Sequence, residues 1–143
     1  MHSQPSDSAD LGDLFHAAFR GLRRTWAEQL SPWELTPHQW RALMTLMRPA
    51  PGEPMRLKDL AERLRIAPRS ATEVVDQLEV KGLVRRDPDP TDRRATLVAA
   101  TADGQQLFAK ISAERRGKSS EYFARLSAED RAELARILGQ LRD

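Results

Sequence analysis

Apolar residues recur three or four apart from Leu11 to Leu30, with Leu14, Phe15, Ala18, Phe19, Leu22 and Trp26 completing one stripe. That spacing predicts a long amphipathic first helix. Pro32 interrupts it, and Thr36-Pro37 reads as an N-cap followed by a proline at the first helical position. Trp40, Leu43, Leu46 and Met47 carry a second helix, which stops in the Pro/Gly cluster of residues 48–54. Leu57, Leu60, Ala61 and Leu64 predict a helix about two turns long. After a break at Ile66-Ala67 comes another helix with Ala71, Val74, Val75 and Leu78 inward and Gly82 as its left-handed C-cap. Its start stands either at Pro68 or at a Ser70/Glu73 capping box. Two short helices joined by a tight turn make a helix-turn-helix.

The periodicity then changes. Leu83–Arg86 and Thr96–Ala100 read as strands, with the turn formers Asp87, Pro88, Asp89, Pro90 and Thr91 as the tip of a hairpin. Thr101 caps a further helix with Leu107, Phe108 and Ile111, continuing toward Tyr122, Phe123 and Leu126. Ser127 with Asp130 opens a last one with Leu134, Ile137, Leu138 and Leu141. The predicted fold class is mainly α (α+β). Residues 1–9 are small and polar and read as a flexible tail, and residues 10–143 as a single domain.

A chain of 143 residues supports one core and not two comfortable ones. No apolar run approaches the roughly 20 residues of a membrane span, and the start lacks the basic and apolar regions of a signal peptide. The expectation is a cytoplasmic protein with no membrane partner. The absence of Cys excludes disulfides, thiolate metal sites and cysteine catalysis. With only His2, His16 and His38, and no HExxH, GxSxG, P-loop or GxGxxG spacing, an enzyme is not expected, nor is a cofactor or a metal. Net charge is only +2, so binding to a polyanion would require local clustering of cations.

The second short helix offers a polar surface to weigh against that requirement. With Val74, Val75 and Leu78 inward, its outward side offers Arg69, Ser70, Thr72, Glu73 and Gln77, after Pro68. A helix fits the major groove of DNA. Arg pairs there with guanine, Gln with adenine, and Glu with cytosine, each good pair discriminating by about 1–3 kcal/mol. Ser70 and Thr72 suit phosphate contacts that set register. The plainer reading is a helix-surface pair between Arg69 and Glu73, worth about 0.2–0.5 kcal/mol, with Lys58, Arg63 and Arg65 as ordinary solvated charges. In the hairpin, four Arg face three Asp between residues 85 and 94, so internal neutralisation is the plain reading there.

The stretches LTPHQWRALMTLMRP, LKDLAERLRIAPRSATEVVDQLEVKGLVRR and DPTDRRATLVAATADGQQL, in that order, resemble the MarR (multiple antibiotic resistance regulator) family of winged helix-turn-helix transcription factors. The resemblance spans nearly the whole chain. Its most specific parts are Gly82-Leu83-Val84-Arg85-Arg86, Asp92-Arg93-Arg94 and Thr101-Ala102-Asp103-Gly104; Ala100 departs from it, standing where Leu is usual.

The resemblance implies a winged helix-turn-helix over 35–101 and dimerisation helices over 10–34 and 102–143. It implies a homodimer on double-stranded DNA with an inverted-repeat operator. It also makes Arg94 the side chain inserted into the minor groove, with Arg93 beside it on phosphate and Asp92 bracing an arginine; Arg85 and Arg86 would approach the DNA backbone or hold the acidic loop. The dimer would use Leu11, Leu14, Phe15, Ala18 and Leu22 with Leu134, Ile137, Leu138 and Leu141. Trp40 reads as core and Trp26 as dimer seam. A small effector, an aromatic or phenolic acid, would meet His16, Arg20 and His38, and the regulator would be a repressor released by it. The rival reading is a winged helix used for protein–protein interaction without DNA sequence specificity.

Overall fold

The structure is a computed structural model describing residues 8–48 and 50–142. The chain folds as α1 (Ser8–Leu30), a 3-10 turn (Ser31–Trp33), α2 (Pro37–Leu46), β1 (Met55–Arg56), α3 (Leu57–Leu64), α4 (Pro68–Val80), β2 (Val84–Asp89), β3 (Asp92–Ala100), α5 (Ala102–Phe123) and α6 (Ala128–Leu141). Residues 1–7 of the expected tail lie outside the described residues, and α1 already runs at Ser8. Two units form. One is Gln29–Ser112; the other joins α1 up to Glu28 with the chain from Ala113 onward. Among the described residues no helix is long and apolar enough to cross a membrane.

In the Gln29–Ser112 unit, α2, α3 and α4 enclose Leu43, Leu46, Leu60, Leu64, Val75 and Leu78 against Val84 and Val98 of the sheet and Ile111 of α5. Burying each of these side chains stabilises the fold by about 1.5–3 kcal/mol. Trp40 is core, as expected, stacked on Phe108 at 5.1 Å. Ala100, the family departure, is buried in the same cluster opposite Val84, so it belongs to the foot of the hairpin.

Local chemistry sets the boundaries. Thr36 caps α2 through a complete capping box with Gln39, and Pro37 opens the helix. Arg65 closes α3 in the left-handed region at φ 56, a conformation that disfavours a side chain by about 1–2 kcal/mol. Of the two candidate starts for α4, Pro68 is the one used. After the Lys81 C-cap, Gly82 takes φ +75, the left-handed exit expected of it.

The sheet is antiparallel with strand order β1-β3-β2. Two features differ from expectation. β1 is a two-residue strand pairing Met55 with Val98 and Arg56 with Leu97, too short to show any periodicity. The strands also run through most of the expected loop: β2 reaches Asp89 and β3 starts at Asp92. Pro88 thus lies within β2, at the sheet's edge, where a missing ladder donor is tolerated.

One junction locks the hairpin to α5. Thr101 donates its backbone N–H to Leu83 O at 3.0 Å and its hydroxyl to Gly82 O at 2.6 Å, while Oγ1 accepts from Gly104 N at 3.1 Å. A Cβ at Gly104 would lie 2.1 Å from Leu83 O, a backbone atom that cannot swing aside. Gly82-Leu83 and Thr101-Ala102-Asp103-Gly104 are therefore one contact. We expect Gly104→Ala to destabilise the protein by about 1–3 kcal/mol through overpacking, read as a lower urea midpoint at unchanged slope.

In the other unit, Tyr122 of α5 donates its hydroxyl to Ala18 O of α1 at 2.7 Å, and Arg115 lies over the Trp26 ring at 4.5 Å. Trp26 is thus partnered within its own chain. Leu22 is buried at 8% exposure, so it drops out of the exposed stripe; a side chain already covered has no apolar surface left to offer a second copy. Leu11 (65%), Leu14 (60%), Phe15 (58%) and Phe19 (45%) remain open on α1, and Ile137 and Leu141 on α6. Ala18 is exposed, and Leu134 and Leu138 are half-buried beside a cleft of about 310 Å³ between α5 and α6.

Candidate nucleic-acid interface

The entry of α4 has no side-chain cap: Ala67 provides none and Pro68 has no N–H; the first helical bond runs from Ala71 N to Ala67 O. The Arg69 and Ser70 amides, at the positive end of the helix, are left for an outside acceptor. Arg69, Ser70, Glu73 and Gln77 are all exposed. Arg69 and Glu73 make no ion pair with each other among the described residues, so the plain helix-surface pairing does not hold them. Thr72 is half-buried and donates its hydroxyl to Pro68 O at 3.0 Å, so this donor is engaged by its own helix.

Alternation along β3 sends Arg93 and Arg94 to opposite faces of the hairpin. Arg94 is 96% exposed at its side chain. With Arg56, Lys58, Pro68, Thr72 and Asp92 it lines a cleft of about 400 Å³ between the hairpin and the start of α4. Asp92 Oδ1 accepts the Arg94 backbone N–H at 3.1 Å and stands 3.9 Å from its Nε. Arg93 is exposed on the other face, and Arg85 pairs with Asp87 at 3.3 Å in the open.

Arg86 is a correction. The resemblance implied that it approaches DNA or holds the acidic loop, but it points at α4 and pairs with Asp76 at 2.7 Å and Glu79 at 2.8 Å, with 30% of its side chain exposed. The hydrogen bond it donates to Glu79, with the charges of Glu79 and Asp76, raises its pKa above the usual guanidinium value. Its role is to join the hairpin to α4 and to neutralise two carboxylates that would otherwise repel a polyanion.

Arg56 and Asp89 were not singled out in the sequence. Arg56, at the end of β1, pairs with the buried Asp89 at 2.9 Å and so anchors the hairpin tip. Asp89 Oδ1 also accepts the Thr91 backbone N–H and hydroxyl, both at 2.8 Å. An Asp two residues before Thr in a turn is a visible signal for the second contact; nothing in the sequence announces the first. His16 and Arg20 are exposed one turn apart on α1, and His38 is exposed on the first turn of α2. None of the three lines the clefts described above.

The model of the MarR family matches residues 35–96, from the α2 cap to the rising arm of the wing. A putative transcriptional regulatory protein for the hcr operon of Thauera aromatica is 31% identical over 98% of this chain and 90% of its own length. The chain belongs to the MarR family. The transcriptional repressor MdtR of Bacillus subtilis is 26% identical over 99% of this chain and 89% of its own. A mutant MarR from E. coli, solved in complex with operator DNA, aligns with a TM-score of 0.72 at 26% identity over 96% of this chain and all of that one. MarR-family proteins are DNA-binding transcriptional regulators and not enzymes, and this chain's winged helix-turn-helix is the element that makes it one.

The Thr91 donors, followed by Arg56, hold the Asp89 carboxyl below the usual carboxylate range. A carboxyl with a lowered folded-state pKa contributes stability above its unfolded-state pKa, and this is lost as pH falls through the folded value. Acidification below the ordinary carboxylate range should therefore loosen the wing tip. Exchange of the Thr91 amide should accelerate there beyond the intrinsic rate; in Asp89→Asn that extra acid dependence should be absent.

Proposed function

We propose that this MarR-family regulator works as a homodimer on an inverted-repeat operator, with α4 in the major groove and Arg94 of the wing in the adjacent minor groove. The observation that carries it is Arg94, almost wholly exposed beyond the polar outer side of α4 and held by Asp92. A narrow minor groove concentrates negative potential and rewards an inserted arginine. Arg69 and Glu73, unpaired with each other, are free for base edges, the Ser70 amide and hydroxyl suit a phosphate, and Arg93 reaches the backbone on the other face of the wing.

Open apolar side chains on α1 and α6 support the dimer, since a contiguous face of that kind marks an interface. Two-fold symmetry then sets two recognition helices about 34 Å apart on one face of the duplex. Occupying a promoter in this way represses transcription, as the relative MdtR is a transcriptional repressor. Release follows when a small aromatic or phenolic acid binds one separation of the reading heads better than the other. His16 and Arg20, one turn apart and exposed on α1, are the side chains offered to its carboxylate.

An interaction module without DNA specificity would need apolar anchors on the same face. The outer side of α4 and the wing offer one, Val80 at 89% exposure, and single exposed apolar residues are ordinary. The DNA reading is therefore favoured.

Arg94→Ala should weaken binding to all duplexes and lower the salt slope of log K by about one unit; equal affinity of variant and parent at several salt concentrations would remove Arg94 from the interface. Phe15→Glu should convert a dimer to a monomer in sedimentation velocity and abolish tight binding to a full palindrome. A parent that sediments as a monomer refutes the symmetric arrangement.

A further inference from the structure

A chain of hydrogen bonds fixes which way a base-reading side chain faces. Gln39, at the start of α2, is buried at 5% exposure. Its Oε1 accepts from Thr36 N at 3.2 Å and from Lys81 Nζ at 3.1 Å, and Lys81 also donates to the Glu34 carbonyl. A backbone N–H and an ammonium group can only donate. The oxygen of Gln39 must therefore face them, and its nitrogen must face the other way. That nitrogen lies 2.7 Å from Gln77 Oε1. By the same logic Gln77 must present its oxygen to Gln39, which leaves its Nε2 hydrogens directed outward from an exposed position on α4.

An unconstrained Gln offers one acceptor and one donor, and so pairs with the N6 and N7 of adenine. Here the oxygen is turned toward Gln39, so although it keeps a second lone pair, the nitrogen is the atom left facing away from that contact. We propose that Gln77 is a specificity-determining residue that reads guanine, through its Nε2 donors to O6 and N7, and that Gln39, held by Lys81 and Thr36, is the positioning residue that imposes this choice. The sequence-based pairing of Gln77 with adenine is replaced. The proposal rests on α4 entering the major groove, and it adds which hydrogen-bonding pattern one of its side chains accepts. Cytosine, which shows only a donor in that groove, is rejected at the contacted position.

The test is selection of bound duplexes from a random pool by the full-length protein and two variants, each first checked for native circular dichroism. The parent should enrich a palindrome with guanine at one position of each half-site. Gln77→Glu keeps an acceptor for Gln39 and turns a second acceptor outward, so cytosine should replace guanine at that position of the same strand by about tenfold. Gln39→Met frees the Gln77 oxygen, and the position should shift toward adenine by a similar factor. If Gln39→Met fails to fold, the exposed Gln77→Glu change decides alone. Adenine at that position in the parent, or identical motifs from the parent and Gln77→Glu, overturns the proposal while leaving groove binding intact. A folded parent that enriches no palindrome overturns both.

Discussion

The direction of the wing relative to α4 rests on one side chain, Arg86, which joins the two elements. The guanidinium bridges Asp76 and Glu79, one helical turn apart on α4, from a strand that starts only a few residues after the helix ends. Surface ion pairs contribute about 0–1 kcal/mol each, so the bridge matters less as a source of stability than as a constraint on direction. It also settles an electrostatic problem. The helix carries Glu73, Asp76 and Glu79, and two of the three are matched internally by Arg86, which lowers the repulsion that α4 as proposed would meet from phosphates.

The wing itself is tied down at both ends by different chemistry. At its foot, Thr101, Gly82, Leu83 and Gly104 form a backbone-level joint that admits no side chain at Gly104. At its tip, Arg56 and Thr91 converge on Asp89. Between them the Arg94 side chain is 96% exposed, so the wing is fixed at its foot and tip while this guanidinium stands open to solvent.

Features set by a few neighbouring residues were legible in the sequence. The Thr36-Pro37 cap, the Gly82 exit, the Thr101 and Ser127 caps and the order of helices all follow from residues within four positions of each other. What was not legible depends on partners brought in by folding. β1 exists only because β3 pairs with it. The turn-forming residues from Asp87 to Asp89 are strand because they face Leu97, Thr96 and Asp92 across the hairpin. Arg86 looked like a DNA ligand until Asp76 and Glu79 met it. Gln77 looked like an adenine reader until Gln39, 38 residues away in the chain, engaged its oxygen. Leu22 shares the spacing of the α1 stripe, and only packing shows that it is covered. In the family signature, Gly104 was recognisable as a motif residue, but its reason, the approach of Leu83 O, is purely spatial.

A hairpin projecting from a small domain has a cost that Pro88 addresses. β2 ends the sheet, and an unpaired strand edge is a template to which a strand of another molecule can add. Pro88 removes one amide from that edge, and Arg85 and Asp87 place charges of both signs beside it. The projecting hairpin is in this way kept from recruiting its own kind into a growing ribbon.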